Sequence, residues 1–199
     1  MSIRTRVILA GGALALAAGV AQAQVPQYGA NVTLEQAKKA IAAAEAESRK
    51  NGWPMAIAIV DTSGQLVAFE RIDNTQTAST MIAQDKAVAS AMLRRTTKVI
   101  QDGVAGGGAG VRLLGLRYAT PIEGGLPLFV DGKIVGAIGV SGMASDQDGV
   151  IAKAGADALL SNRSGLAAHP PQLTRGGAAA RPGLTGRPAA SPPSSGGSG

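Results

Sequence analysis

Leu126-Pro-Leu-Phe-Val130, Asp131-Gly132 and Lys133-Ile-Val-Gly-Ala-Ile-Gly-Val140 are one continuous stretch, and their reading decides the fold. Two apolar runs rich in branched residues are joined by Asp-Gly, the residue pair that a two-residue hairpin turn demands. The second run predicts a strand whose side chains alternate between faces. Ile134, Gly136, Ile138 and Val140 share one face, and Val135, Ala137, Gly139 and Ser141 the other. The second face ends in side chains that are almost absent, so something approaches the sheet closely there. A packed helix is the usual reason; a flat ligand is the functional one.

Upstream, Pro54 precedes Met55-Ala-Ile-Ala-Ile-Val60, the turn Asp61-Thr-Ser-Gly64 and Leu66-Val-Ala-Phe-Glu-Arg71, which predicts a first hairpin. Before it, Thr33 and Gln36 have the spacing of a capping box. Leu34, Ala37, Ile41 and Ala44 then recur on one helical face until Asn51-Gly52, so a helix is expected from Leu34 to about Lys50. Between the hairpins, Ala78 to Arg95 has helical spacing, with Met81, Ile82, Val88, Ala89, Met92 and Leu93 on one broad stripe. Asp102 to Gly110 (DGVAGGGAG) reads as a Gly-rich loop, a lid or linker; it lacks the Gly-Lys-Ser/Thr ending of a phosphate loop. Ser145, with Asp148 three residues on, is expected to cap a last helix reaching about Leu160. Hairpin, helix, hairpin and helix imply an α+β domain, an antiparallel sheet with helices packed on one side.

The charge balance, 19 Lys+Arg against 13 Asp+Glu for a formal +6, suggests a nucleic acid or an anionic membrane as partner. Its distribution says otherwise. Arg4 and Arg6 lie in the first residues and Arg175, Arg181 and Arg187 near the end, which leaves residues 24–163 close to neutral. Two Phe, two Tyr and one Trp are too few platforms for base stacking, so a nucleic-acid partner is not expected. With no Cys and a single His, His169 beside Pro170 and Pro171, thiolate chemistry, a His-based triad and a His metal cluster drop out.

Residues 1–23 follow the order of an export signal: Arg4 and Arg6, the uncharged run Val7 to Val20, then Ala21-Gln22-Ala23 before a cut after Ala23. The run is shorter than the ~20 residues of a spanning helix, so no stable membrane anchor is expected. A periplasmic or secreted protein follows. Residues 164–199, made of Gly, Ala, Pro, Ser and scattered Arg, have little to bury and read as a disordered tail. The folded domain is therefore placed at 24–163.

Asp85 falls in the middle of the apolar stripe of the second helix, with Lys86 on its edge. A carboxylate there needs a partner, as in a pocket, or reaches water at a rim. Arg71, Asp73 and Asn74 follow the first hairpin, while Gly139, Ser141, Gly142 and Asp148 surround the start of the last helix. Glycine-rich backbone and a helix N-terminus suit an anionic ligand at this end of the sheet.

Asp61-Thr-Ser-Gly64, Arg71-Ile-Asp73, Lys86-Ala87, Gly124-Gly-Leu-Pro127 and Val135-Gly-Ala-Ile-Gly-Val-Ser-Gly142 followed by Asp146-Gln-Asp148 resemble the GlcG/HbpS family in content and order. The resemblance spans about Leu34 to Leu160. It implies a profilin-like α+β fold, a homo-oligomer and, in some members, binding or degradation of haem. Two departures stand out. Where the family often has Lys-Ala-x-Thr-Ala, this chain has Lys86-Ala87-Val88-Ala89-Ser90, and no core His is present as an axial ligand. Tyr118, Met81, Met92, Met143, Lys86 or a surface carboxylate are the remaining candidates for that role.

Three functions are compatible with these residues. In the first, an exported protein binds haem or a related tetrapyrrole between the face of Ala137, Gly139 and Ser141 and the Ala78–Arg95 helix. Lys86 or Arg71 then pairs with the propionates, Asp85 orients Lys86, and the backbone of Gly142 to Asp148 donates hydrogen bonds. In the second, an enzyme acts on a small oxygenated metabolite, with Asp85 and Lys86 as acid and base. In the third, a ligand-free structural subunit uses its strand glycines for helix packing.

Overall fold

The computed structural model describes residues 25–160; the expected leader 1–23, the expected tail 164–199 and His169 lie outside the described residues. The elements run α1 (Leu34–Asn51), β1 (Ala56–Asp61), β2 (Leu66–Arg71), α2 (Ser79–Leu93), α3 (Thr97–Ala105), a 3-10 helix (Gly108–Gly115), β3 (Gly125–Val130), β4 (Lys133–Ser141) and α4 (Ser145–Leu160). The four strands form one antiparallel sheet in the order β2-β1-β4-β3. Each hairpin thus contributes a central strand and an edge strand, and β1 and β4 join the two hairpins.

Local chemistry explains the elements. The Thr33 hydroxyl accepts from the Gln36 amide while the Gln36 side chain accepts from the Thr33 N–H, completing the expected capping box. Gly52 ends α1 in the left-handed conformation, and the Gly52 and Trp53 amides return to Arg49 and Ser48 carbonyls. Asp131 and Gly132 both have positive φ, 51° and 75°, as a type I′ hairpin turn requires. Residues before α1 extend the sheet along β4: the Gly29 N–H donates to the Ile134 carbonyl, and the Ile134 N–H to the Gln27 carbonyl.

The sheet carries helices on both faces, not on one. α1 and α4 cover the face of Ile57, Ile59, Ile138 and Val140, and α2 covers the face of Ala56, Ala58, Val60 and Ala137. Near-complete burial of β1 and β4 follows from this, and their unbroken apolar runs are what a strand covered twice requires. The Gly-rich stretch differs from expectation as well. Asp102 to Ala105 close α3, and Gly108 to Gly115 form the 3-10 helix, because Gly110 rests on the backbone of Gly103 where a Cβ would stand 1.8 Å from the Gly103 carbonyl oxygen.

Candidate functional site

Four of the family-like segments, those of Lys86, Gly124-Gly125, Val140 and Asp148, converge on one buried point. Lys86, on α2, is 1% exposed and Asp148, on α4, 2%. The Lys86 ammonium donates to an Asp148 carboxylate oxygen at 2.6 Å and to the Val140 carbonyl at 3.0 Å. The other Asp148 oxygen accepts from the Met143 N–H at 3.1 Å. One ion pair therefore joins α2, the end of β4 and the first turn of α4.

Room for the pair comes from glycine. A Cβ on Gly124, whose φ is +125°, would stand 2.9 Å from the Lys86 ammonium and 2.6 Å from the Val140 oxygen. A Cβ on Gly125 would stand 2.4 Å from the Lys86 carbonyl oxygen, and the Gly125 N–H donates to the buried Thr97 hydroxyl at 2.8 Å. The start of β3 thus lies directly over the lysine. Glu123 comes next to it, its carboxylate in the space that a side chain at Gly149 would fill. Burial pushes the Lys86 ammonium down from its ordinary range and the Asp148 carboxyl up; the contact between them, and the Glu123 charge for Lys86, oppose those shifts.

This arrangement corrects the expected site. Asp85 is exposed, and Lys86 is the buried member of that pair of neighbours, with Asp148 as its partner. Asp85 and Lys86 face no common cleft, which removes the acid/base pairing assigned to them. Lys86 is committed to Asp148 and Val140, so it is not available to a propionate. The misreading has a physical cause: the large apolar residues of α2 are not its core face. Met81 is 67% exposed, whereas Ala83, Lys86, Ala87, Ser90 and Ala91 are buried.

Gly139 explains why small residues are buried. A Cβ there would stand 2.0 Å from the Ala83 carbonyl oxygen and 2.5 Å from the Ala87 nitrogen, so helix backbone lies directly on strand backbone. No flat ligand fits between β4 and α2 in this arrangement. Ser141 is buried and its hydroxyl meets that of Ser79 at 3.1 Å. Gly142 lies under Pro54 and Met55, where a Cβ would come within 2.1 Å of the Pro54 oxygen. Asp148 does not act as a simple helix cap; Gln147 reaches back to the Ala144 N–H instead. Arg71 and Asp73 are exposed, Asp73 on the rim of a separate cleft.

The open surface lies elsewhere. Between Lys98 and Ile122, Val99, Val111, Leu114, Leu116, Tyr118 and Ile122 are exposed, Leu114 by 58%. The 3-10 helix within this stretch buries none of its residues. Arg112 and Arg117 are interleaved with them, the Arg117 guanidinium 5.4 Å from the Tyr118 ring centroid. Sequence periodicity passed over this surface because Gly106 to Gly110 read as a loop. Among the described residues no group of three His, Cys, Asp or Glu is placed to hold a metal ion. No described helix is long and apolar enough to cross a membrane.

Comparison with known proteins bears on all of this. Residues 32–157 match the family model described as haem degrading protein HbpS-like. Protein GlcG of Escherichia coli is 40% identical over 107 residues, covering 54% of this chain and 78% of GlcG. A double mutant of HbpS from Streptomyces reticuli superposes with a TM-score of 0.61 at 27% identity, over 79% of this chain and 99% of that one. A complex of PduOC with haem has the same fold, with a TM-score of 0.59 at 24% identity, over 64% of this chain and 94% of that one.

Proposed function

Since the chain belongs to the HbpS-like family of haem degrading proteins, we propose that it binds haem, and that it does so on the exposed apolar surface between Lys98 and Ile122. The observation that carries the reading is the composition of that surface. A porphyrin offers broad apolar faces and two carboxylates on one edge. Val99, Leu114, Leu116 and Ile122 supply exposed apolar area, and Arg112 and Arg117 supply cations for the carboxylates. Tyr118, 41% exposed, offers the oxygen donor that a haem site without His can use. Of the candidate axial groups, Lys86 is buried in its ion pair, Met92 packs near the Gly64 turn, and Met81 and Met143 lie outside this segment. The haem iron, when bound, supplies the redox chemistry; the chain supplies the apolar seat, the carboxylate partners and the phenol.

Titration of the full chain with haemin tests the reading. A saturable Soret shift is expected, weakened and moved in wavelength by Tyr118→Phe and weakened without displacement by Arg112→Ala or Arg117→Ala. A chain that leaves the haemin spectrum unchanged overturns it. A spectrum shifted equally in wild type and Tyr118→Phe removes the assignment of the phenol.

The reading includes two further parts. Residues 1–23 direct export and are cut after Ala23, giving a periplasmic or secreted protein; mass analysis of the exported chain beginning at Gln24 checks it. The domain assembles with copies of itself, which sedimentation with and without haemin measures.

A further inference from the structure

A cleft apart from the proposed haem surface lies at the end of α1. Ser48, Arg49 and Gly52 at the end of α1, with Trp53 and Pro54, face Ile72, Asp73 and Asn74 after β2 across a cleft of ≈370 Å³. Its volume falls in the range of small-molecule sites. Both walls are fixed by hydrogen bonds. The Trp53 N–H donates to the Ser48 carbonyl, the Ser48 hydroxyl donates to the Trp53 carbonyl, and the left-handed Gly52 sets the turn between them. Opposite, the Ile72 N–H donates to Met55, and both the amide and the hydroxyl of Thr75 donate to the Ile72 carbonyl. Asn74 is held at φ 68°.

The cleft sets a helix carbonyl end and a carboxylate against one cation, Arg49. The carbonyl end of α1 carries the negative pole of the helix. Asp73 is exposed and its carboxylate takes no hydrogen bond or ion pair within the described residues. Trp53 packs on the core, stays partly exposed and lines the cleft, where its indole can meet a cation. The cation of the cleft, Arg49, is already engaged: its Nε donates to Glu45 at 2.7 Å, and Glu70 lies within its electrostatic reach. Lys50, next along α1, is paired with Glu47. A negative helix end, an unpaired carboxylate and an indole face together select a cation with some apolar surface and disfavour an anion.

We propose that this cleft binds a small organic cation, an alkylammonium or quaternary ammonium compound, set between the Trp53 indole and the Asp73 carboxylate. Haem, with its two carboxylates, is the wrong charge for the cleft, so the two sites are separate. Trp53 is the single Trp of the chain, and its fluorescence reports the cleft without interference.

Titrating the full chain with choline while following Trp53 emission tests the proposal, with acetate and glycerol as anionic and neutral probes. Choline is expected to give a saturable change at up to millimolar concentration, and acetate and glycerol none. Asp73→Asn keeps the fluorophore and is expected to weaken choline binding roughly tenfold, the effect of about 1.4 kcal/mol in a binding constant. Absence of a saturable response to choline overturns the proposal, as does an equal response to acetate or glycerol. Unaltered choline affinity in Asp73→Asn, with circular dichroism like that of the wild type, overturns it too. Haemin binding measured alongside reads the other surface, so failure of either site leaves the other standing.

Discussion

On the face of the sheet covered by α1 and α4, Ile57, Ile59, Leu128, Ile138 and Val140 interlock with Ile41, Ile151 and Leu159. On the face covered by α2, Ala56, Ala58, Ala137 and Gly139 meet Ala83, Ala87 and Ala91. The first face gains from the apolar area that large side chains remove from water. The second has little side-chain area to bury and gains instead from close approach, helix backbone to strand backbone. A charged pair sits at the end of that second face, where a large side chain would not fit. The difference teaches that deletion should harm one face and addition the other.

The largest effect is expected at the pair. Lys86→Met leaves the Asp148 carboxylate buried without its ammonium, and loss of about 3–5 kcal/mol in urea unfolding is the outcome to measure. Adding Asp148→Leu to Lys86→Met removes the stranded charge and is expected to recover most of that loss. A double variant no better than the single would mean that the pair specifies the fold through geometry that apolar side chains cannot replace. Next comes the contrast between adjacent residues of β4. Ile138→Ala opens a cavity beneath α4 and is expected to cost about 2–5 kcal/mol. Gly139→Ala adds one methyl against the Ala83 carbonyl and is expected to cost about 1–3 kcal/mol by overpacking. If Gly139→Ala were neutral, close approach of α2 would not be what holds that face.

The smallest effect lies in the turn that docks on α2, where Gly64 packs near Val88 and Met92. Partial burial would raise the Asp61 carboxyl, but bonds from Ser63, Gln65 and Gly64 outweigh it and hold the group below its ordinary 3.8. The native state therefore binds the proton less readily than the unfolded chain. Its contribution to stability is present above the ordinary value and fades as pH falls through the lowered one. Asp61→Asn is expected to flatten that part of the acid-unfolding curve, which chemical unfolding across pH 5 to 2 can follow.

Much of the fold was legible because its signals are local. The Thr33–Gln36 box, the Gly52 stop and the Asp131-Gly132 turn each involve residues a few positions apart, and each forms as expected. α2 was placed correctly but turned the wrong way. Apolar periodicity weights Met81 and Met92 over Ala83 and Ala87, and the preference reverses only when the opposing strand carries Gly139. That information lies more than fifty residues away. The same distance hid the partner of Lys86, since Lys86 and Asp148 were both singled out but assigned to different roles. α3 is hidden because Gly103 inside it weakens helix propensity and the glycines that follow read as a loop, while Gly103 is what allows Gly110 to lie against it.

The order of the strands has a consequence for how the molecule avoids uncontrolled association. Two strands are left with an outer edge, β2 and β3, and an open edge is a template for a foreign strand. β3 contains Pro127, which has no amide hydrogen to offer, and an irregular register between Leu128 and Phe129. β2 ends in Glu70 and Arg71, with a register shift opposite it between Ile59 and Val60. Both edges are thus short, interrupted and marked by a proline or by charge, which are the features that discourage amyloid-like stacking. Partners of this domain are left to meet it through its helical and loop surfaces.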